Sequence, residues 1–161
     1  MYHWFVARKV RATFAKISTG DWEPMIAGMA PRFSYRFYGD SALSGERHTL
    51  DGLRLWWARS FRLLPNPAFQ VDEVIVAGGP WATRVATRVR VRAPLPDGST
   101  YDNVFMQNLY MRWARITEIH TLEDTAALQR MLDALAESGI AEAHAEPITD
   151  TEPAPLARDT R

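Results

Sequence analysis

The stretch Trp81–Ala93, WATRVATRVRVRA, decides how the rest of the chain is interpreted. Its two parities differ in character: Thr83, Val85, Thr87, Val89 and Val91 alternate with Arg84, Ala86, Arg88, Arg90 and Arg92. Successive side chains of a β-strand point to opposite faces of the sheet, so this period of two predicts a long strand. We expect the valine face to point inward and the arginine face outward.

Four further segments have strand character: residues 33–38, 69–77, 101–113 and 116–122. The turn sequence Gly78-Gly79-Pro80 precedes the central strand, and a loop around Asp97-Gly98 follows it. Strands joined by tight turns pair antiparallel. The second half of the chain is therefore predicted to form an antiparallel sheet of hairpins.

Apolar residues at steps of three and four predict helices before and after these strands. The first ends at Gly20, the second runs from an N-cap at Asp21 to Pro31, and the third covers residues 49–64. A last helix begins at a cap on Asp124 or Thr125 and ends at Gly139.

This order of elements predicts an α+β fold, in which a cone-shaped, curved antiparallel sheet wraps around the N-terminal helices. Such a sheet leaves a pocket between its concave face and the helices. We expect one domain over residues 1–139. Residues 140–161 contain three prolines and no aromatic residue, which favours an extended or disordered C-terminal tail.

Composition excludes several classes of function. The 161 residues carry 19 basic and 19 acidic side chains, and this zero net charge argues against a nucleic-acid partner. No apolar run is long enough to span a membrane, so we expect no membrane partner and a cytoplasmic location. Without cysteine, and with four histidines far apart in sequence, the chain predicts no metal site and no cofactor.

An ordered set of short sequences resembles the SnoaL-like group of the nuclear transport factor 2-like superfamily. The resemblance covers roughly residues 5 to 136 and rests on Gly20-Asp21-Trp22, GDSALSG at 39–45, Leu53-Arg54-Leu55-Trp56 and RITEI at 115–119. It implies a cone-shaped fold with an open hydrophobic pocket and a homodimer formed through the sheet. The superfamily contains ketosteroid isomerases, polyketide cyclases, epoxide hydrolases, dehydratases and binding modules, so fold alone sets little of the chemistry.

Two catalytic sets of these relatives are missing. The steroid-isomerase positions for a tyrosine, a base and an acid fall at Thr13, Phe37 and Leu109, and neither Phe37 nor Leu109 can transfer a proton or bind an enolate. In place of the carboxylates of the epoxide hydrolases the chain has Arg88-Val89-Arg90 and Asn108-Leu109-Tyr110. Polyketide-cyclase chemistry is less demanding, because it needs one acid/base near the pocket mouth.

Asp40, His48, His120 and Glu123 are the candidates for that acid/base. Strand parity places Glu123 on the face of Ile119 and His120 on the opposite face. Parity alone does not decide which face points into the pocket; if it is the Ile119 face, Glu123 lies inside and His120 outside, so Glu123 is the preferred candidate and Asp40 the second. Each also has a structural interpretation: Asp40 fits a turn, His48 a solvated or capping position, and Glu123 a frayed strand end. We expect the ligand to contact Tyr35, Phe37, Trp57, Phe105, Gln107, Leu109 and Thr121, with Tyr35 or Gln107 positioning its oxygen.

Two classes of function follow from this pocket. One is a cofactor-free isomerase, cyclase or dehydratase acting by acid/base chemistry on a small hydrophobic molecule. The other is a non-catalytic module that binds such a ligand or serves dimerisation. We also expect a homodimer through the convex sheet face, because Val104, Met106, Tyr110 and part of Trp113 would leave apolar surface there.

Overall fold

Residues 1–151 are described by the computed structural model and contain four α-helices and six strands. The helices are α1 (Tyr2–Ile17), α2 (Glu23–Ala27), α3 (Leu50–Leu63) and α4 (Thr125–Glu137). The strands are β1 (Met29–Phe37), β2 (Gly45–Arg47), β3 (Ala68–Gly79), β4 (Ala82–Pro94), β5 (Thr100–Arg112) and β6 (Arg115–Glu123). A short 3-10 helix, Ala141–His144, follows α4. These elements confirm the α+β class.

All six strands form one sheet in the order β2-β1-β6-β5-β4-β3. Neighbouring strands pair antiparallel except β1 and β6, which pair parallel, with Tyr35 opposite Ile119. The sheet is therefore mixed, whereas the sequence predicted an antiparallel one. The turns between β3 and β6 force antiparallel neighbours, but no turn joins β1 to β6, so local sequence does not set their direction.

Strand β4 has the orientation that its alternation predicts. Val85 and Val89 are 1% and 0% exposed, while Arg84, Arg88 and Arg92 are exposed on the other face. Arg92 pairs across the strands with Asp102, its Nη2 atom 2.8 Å from a carboxylate oxygen. The valine face thus contributes to the core between the sheet and the helices, and the arginines face outward.

The ends of α2 differ from the prediction. Trp22, not Asp21, is the N-cap, and α2 ends at Ala27, so that Pro31 belongs to β1 instead of closing the helix. The reason is a long-range contact: the Ile116 amide donates to the Gly28 carbonyl, and Met29 pairs with Ile116. By contrast, Asp124 caps α4 as predicted, accepting from the amides of Ala126 and Ala127.

Residues 140–151, the first part of the predicted tail, are packed against the domain. Arg47, which is 0% exposed, donates from Nη1 to the carbonyl of Ile148 at 2.9 Å. Asp150 accepts from the His48 amide and, at 2.6 Å, from the Thr49 hydroxyl. The domain therefore continues past Gly139 to at least residue 150. The remainder of the predicted tail, residues 152–161, lies outside the described residues.

Candidate functional site

An apolar cavity of about 150 Å³ lies between the inner face of the sheet and helices α1 and α3. All seven residues predicted to contact a ligand line it: Tyr35, Phe37, Trp57, Phe105, Gln107, Leu109 and Thr121. Thr13 also lines it, so the three positions matched to the steroid-isomerase set do reach a cavity but carry no proton-transfer group. Glu123 lines the same cavity.

The cavity has two distinct ends along β5. Phe105 pairs with Glu123 at one end, and Met111 pairs with Ile116 six residues further on, about 20 Å away along the strand. Helix α1 spans the same length, because Phe14 contacts Phe105 while its first turn reaches the other end. That other end is bordered by the exposed residues Phe5 and Ala114, and we call it the open end.

The Glu123 carboxylate is held by two neighbours on β5. Its Oε1 atom accepts from the Tyr101 hydroxyl and, at 2.8 Å, from Nδ2 of Asn103. Asn103 Nδ2 also lies 3.0 Å from the carbonyl oxygen of Asp124, which fixes the amide. No donor among residues 1–151 reaches the Oε2 atom. Glu123 therefore faces the cavity with one oxygen positioned by the protein and the other open to a ligand.

Burial is the main cause of an unusual acidity at this position. It raises the pKa of Glu123 to about 7, and the hydrogen bonds from Tyr101 and Asn103 oppose this rise only in part. Burial and the nearby carboxylate together raise the pKa of Tyr101. At neutral pH Glu123 is populated in both its protonated and its ionised form, as a general acid/base requires.

A second polar group lies beside Glu123. Gln107 Nε2 donates to the Thr121 hydroxyl at 3.0 Å, and both side chains are buried. Thr121 is two residues before Glu123 on β6, so Gln107 and Glu123 are diagonal neighbours about 7–8 Å apart. Burial raises the pKa of Tyr35 to about 12, which keeps this hydroxyl protonated and able to donate. The cavity thus offers amide and hydroxyl donors within a small molecule's length of a carboxylate.

Asp40, the second candidate acid/base, does not line the cavity, so the prediction that it lies at the cavity mouth is wrong. Asp40 is exposed in the turn after β1 and borders a shallow polar groove with His144 and Gln129. The chain turns away from the cavity there, at Gly39, whose φ is 122°.

The two histidine candidates also lie elsewhere. His120 is on the face opposite to Glu123, as parity predicted. Its Nδ1 atom lies 3.1 Å from the Tyr38 hydroxyl on the outer face of the sheet. His48 is hydrogen-bonded to the Phe33 carbonyl at 3.2 Å and does not line the cavity.

Sequence reasoning missed Tyr101 and Asn103 as functional residues, although a signal was present. Both share the parity of Phe105 and Gln107 on β5, which places them on the inner face. Their proximity to Glu123 follows only from the pairing register of β5 and β6. Within residues 1–151, no three His, Asp or Glu side chains come together in an arrangement that would hold a metal ion. Also within that range, no helix is long and apolar enough to cross a membrane.

Known structures show the same fold. PrhC from Penicillium brasilianum superposes with a TM-score of 0.75 at 16% identity, covering 89% of this chain and 95% of PrhC. A nuclear transport factor 2-like protein of unknown function from Burkholderia pseudomallei gives 0.66 at 19% identity, covering 78% and 95%. IdmH from Streptomyces antibioticus, a polyketide cyclase candidate, gives 0.63 at 20% identity, covering 79% and 97%. These likenesses confirm the predicted nuclear transport factor 2-like fold.

Sequence comparison identifies the family. No curated protein matches the chain. The model of the SnoaL-like domain matches residues 10–119, about two thirds of the sequence. This range includes most of the residues that line the cavity but ends before Thr121 and Glu123. The chain belongs to the SnoaL-like domain family.

Proposed function

We propose that the cavity binds a small hydrophobic carbonyl compound. Glu123 removes a proton from this compound and returns it at another position, without a cofactor. The observation that carries this proposal is a carboxyl group with a pKa of about 7 that faces an apolar cavity. Such a group can serve isomerisation, cyclisation or dehydration as a general acid/base. The fold shared with IdmH, a polyketide cyclase candidate, is consistent with this class of chemistry.

The groups around the cavity have separate roles in this proposal. Ionised Glu123 removes a proton from the carbon beside the substrate carbonyl through Oε2. The resulting enolate oxygen accepts a hydrogen bond from Tyr35 or Gln107, two uncharged donors that line the cavity and do not hold the carboxylate. Protonated Glu123 then returns the proton to another carbon or to a departing hydroxyl. Tyr101 and Asn103 act as positioning residues, because they hold Oε1.

The alternative function is non-catalytic binding, and the apolar walls favour it. Apart from Glu123 the described lining offers one other readily charged group, Lys9, at the exposed surface of α1. Binding of a hydrophobic ligand alone needs no carboxylate in an apolar cavity, where an ionised group is costly. The presence and hydrogen bonding of Glu123 therefore favour the enzyme.

Deuterium exchange into 2-tetralone, a bicyclic ketone with acidic protons beside its carbonyl, separates the two functions. In heavy water the wild-type protein should accelerate loss of these protons, measured by NMR. Glu123→Gln keeps the shape and the hydrogen bonds to Oε1 but has no basic oxygen. Its exchange rate should be lower by about a hundred- to ten-thousand-fold.

Glu118→Gln is the matched control, because Glu118 lies on the same strand but is exposed on the outer face. It should exchange at the wild-type rate. Line broadening of the ketone signals reports binding independently of exchange. If 2-tetralone binds and the Glu123→Gln variant exchanges its protons as fast as wild type, the protein is a binding module and the catalytic proposal fails.

We also propose a homodimer through the outer face of the sheet. Met106 and Leu122 pair across β5 and β6 and are 51% and 55% exposed. Arg88 of β4 lies opposite Met106, and Glu118 lies four residues before Leu122 on β6. Trp113, predicted to share this face in part, lies instead in the turn between β5 and β6.

Met106→Arg should convert the dimer to a monomer, because it places a charge at the centre of the apolar contact. Light scattering at micromolar concentration measures the mass. Val104→Arg, at the half-buried edge of the same face, should weaken the dimer less. A wild-type protein that is monomeric under these conditions contradicts the proposal.

A further inference from the structure

Three of the six tryptophans are exposed, and all three belong to segments that meet near the open end of the cavity. Trp4, Trp81 and Trp113 are 63%, 61% and 67% exposed, and Phe5 beside them is 59% exposed. We call these four residues the aromatic rim. Burying such side chains in the core would stabilise the fold, so their exposure at one end of the molecule needs an explanation.

Contacts between three separate segments bring the rim together. His3 Nε2, at the start of α1, lies 2.7 Å from the carbonyl oxygen of Gly78, at the end of β3 next to the turn into β4. The Trp113 amide donates to the Pro80 carbonyl in that same turn at 2.6 Å. Phe5 lines the cavity, and Trp4 and Trp113 directly precede Phe5 and Ala114, which border its open end. The rim therefore lies beside that end.

The turn that carries Trp113 adopts a conformation unusual for this residue. Trp113 and Ala114 have φ angles of 50° and 63°, the left-handed pair of a two-residue hairpin turn in which asparagine and glycine are preferred. A bulky residue in this region is strained. The hairpin therefore places Trp113 at the tip of its turn in spite of a conformational cost that asparagine or glycine would not have.

The rim is surrounded by basic residues, although the chain as a whole has no net charge. The Arg8 guanidinium lies 5.3 Å from the centre of the Trp4 ring, and Lys9 follows it on α1. Arg112 and Arg115 face each other across the strand pair that Trp113 closes, an arrangement of like charges that destabilises a hairpin. None of these four forms an ion pair with any residue in the range 1–151.

We propose that the aromatic rim docks on an anionic lipid bilayer and turns the open end of the cavity toward the acyl chains. Tryptophan favours the boundary between headgroups and acyl chains, and arginine and lysine are attracted to anionic headgroups. Such a surface neutralises the facing arginines. It would let a poorly water-soluble ligand pass from the bilayer into the cavity. The sequence predicted no membrane partner because no segment spans a bilayer; surface docking needs no such segment.

Flotation with lipid vesicles tests this proposal on the full chain. The wild-type protein should bind phosphatidylcholine vesicles containing about 30% phosphatidylglycerol and bind pure phosphatidylcholine at least about tenfold more weakly. The combined variant Trp4→Ala, Trp113→Asn should bind the anionic vesicles about tenfold more weakly than the wild-type protein, or more weakly still. Asparagine suits the left-handed turn, so this change preserves the hairpin. Arg112→Glu, which creates an opposite-charge pair with Arg115, should also lose about tenfold.

Leu55→Ser is the matched control, because Leu55 is 61% exposed on α3, away from the rim, and its loss should leave vesicle binding unchanged. Circular dichroism checks that each variant is folded. Equal binding of wild type to neutral and anionic vesicles, no binding to either, or unchanged binding by the rim variants overturns the proposal. A change of molecular mass in the Trp4→Ala, Trp113→Asn variant without lipid would show that the rim is a protein interface, and overturns it as well.

Discussion

Replacing Glu123 with glutamine raises the free energy of unfolding by about 3 kcal/mol at a pH of about 8.5 and leaves it nearly unchanged near pH 4.5. For a chain of this length, this corresponds to an increase in melting temperature of very roughly 6–12 °C at the higher pH. A substitution that abolishes the proposed chemistry is thus expected to stabilise the protein.

The direction follows from the pKa of Glu123 in the two states. Burial raises it to about 7 in the folded protein, against 4.5 for the ordinary side chain. Between these values the folded state binds more protons than the unfolded state, so the contribution of Glu123 to stability is present below pH 4.5 and is lost as the pH rises toward 7. Glutamine is neutral throughout and does not lose this contribution.

Urea unfolding of both proteins at several pH values measures the effect. The difference between wild type and Glu123→Gln should grow steadily between about pH 4.5 and 7 and then level off. Glu118→Gln, on the exposed face of the same strand, should show no such growth. A difference that does not change with pH would mean that Glu123 titrates in the folded protein as it does in water.

Replacing Arg47 with methionine lowers the free energy of unfolding by about 3–5 kcal/mol and releases residues 145–150 from the domain. Arg47 is fully buried, and its guanidinium donates to the carbonyl oxygens of Ser44, Gly45 and Ile148. It also lies 5.1 Å and 5.2 Å from the ring centres of Tyr35 and Trp56. Methionine fills part of the volume but leaves these buried acceptors without a donor.

Two measurements separate the local and the global effect. Denaturant unfolding gives the loss of stability, and amide hydrogen exchange shows whether residues 145–150 lose protection before the rest of the domain. Arg36→Met is the matched control: Arg36 is on the neighbouring strand, and its ion pair with Glu46 is partly exposed. It should cost less than about 1 kcal/mol. Equal effects of the two substitutions would contradict the role assigned to Arg47.

Arg47 and Glu123 have opposite effects on the stability of the fold around the cavity. Arg47 lies opposite Tyr35 in the sheet, and its guanidinium packs on the Tyr35 ring. The buried Arg47 side chain therefore helps to hold this cavity-lining tyrosine in position. Glu123 weakens the fold at the pH at which it can act as a base. A group that costs stability and is nevertheless held by two specific donors is typical of a functional site.

Local periodicity determined much of the fold. The alternation in β4 predicted which face is buried, and parity on β6 placed Glu123 and His120 on opposite faces of the sheet. The start of the last helix was predicted to within one residue, at Asp124 or Thr125, because the chemistry of a helix N-terminus involves only the next three residues. Each of these features depends on residues close together in sequence, which is why a single chain was enough to predict them.

Tertiary structure decided what depends on partners distant in the chain. The parallel pairing of β1 with β6 moved Pro31 into a strand. The register of β5 against β6 brought Tyr101 and Asn103 to Glu123, and the turn at Gly39 carried Asp40 away from the cavity. The sequence names an ionisable side chain and the face on which it lies, but its acidity is set by its burial and by the donors around it, and both arise only when distant strands pack together.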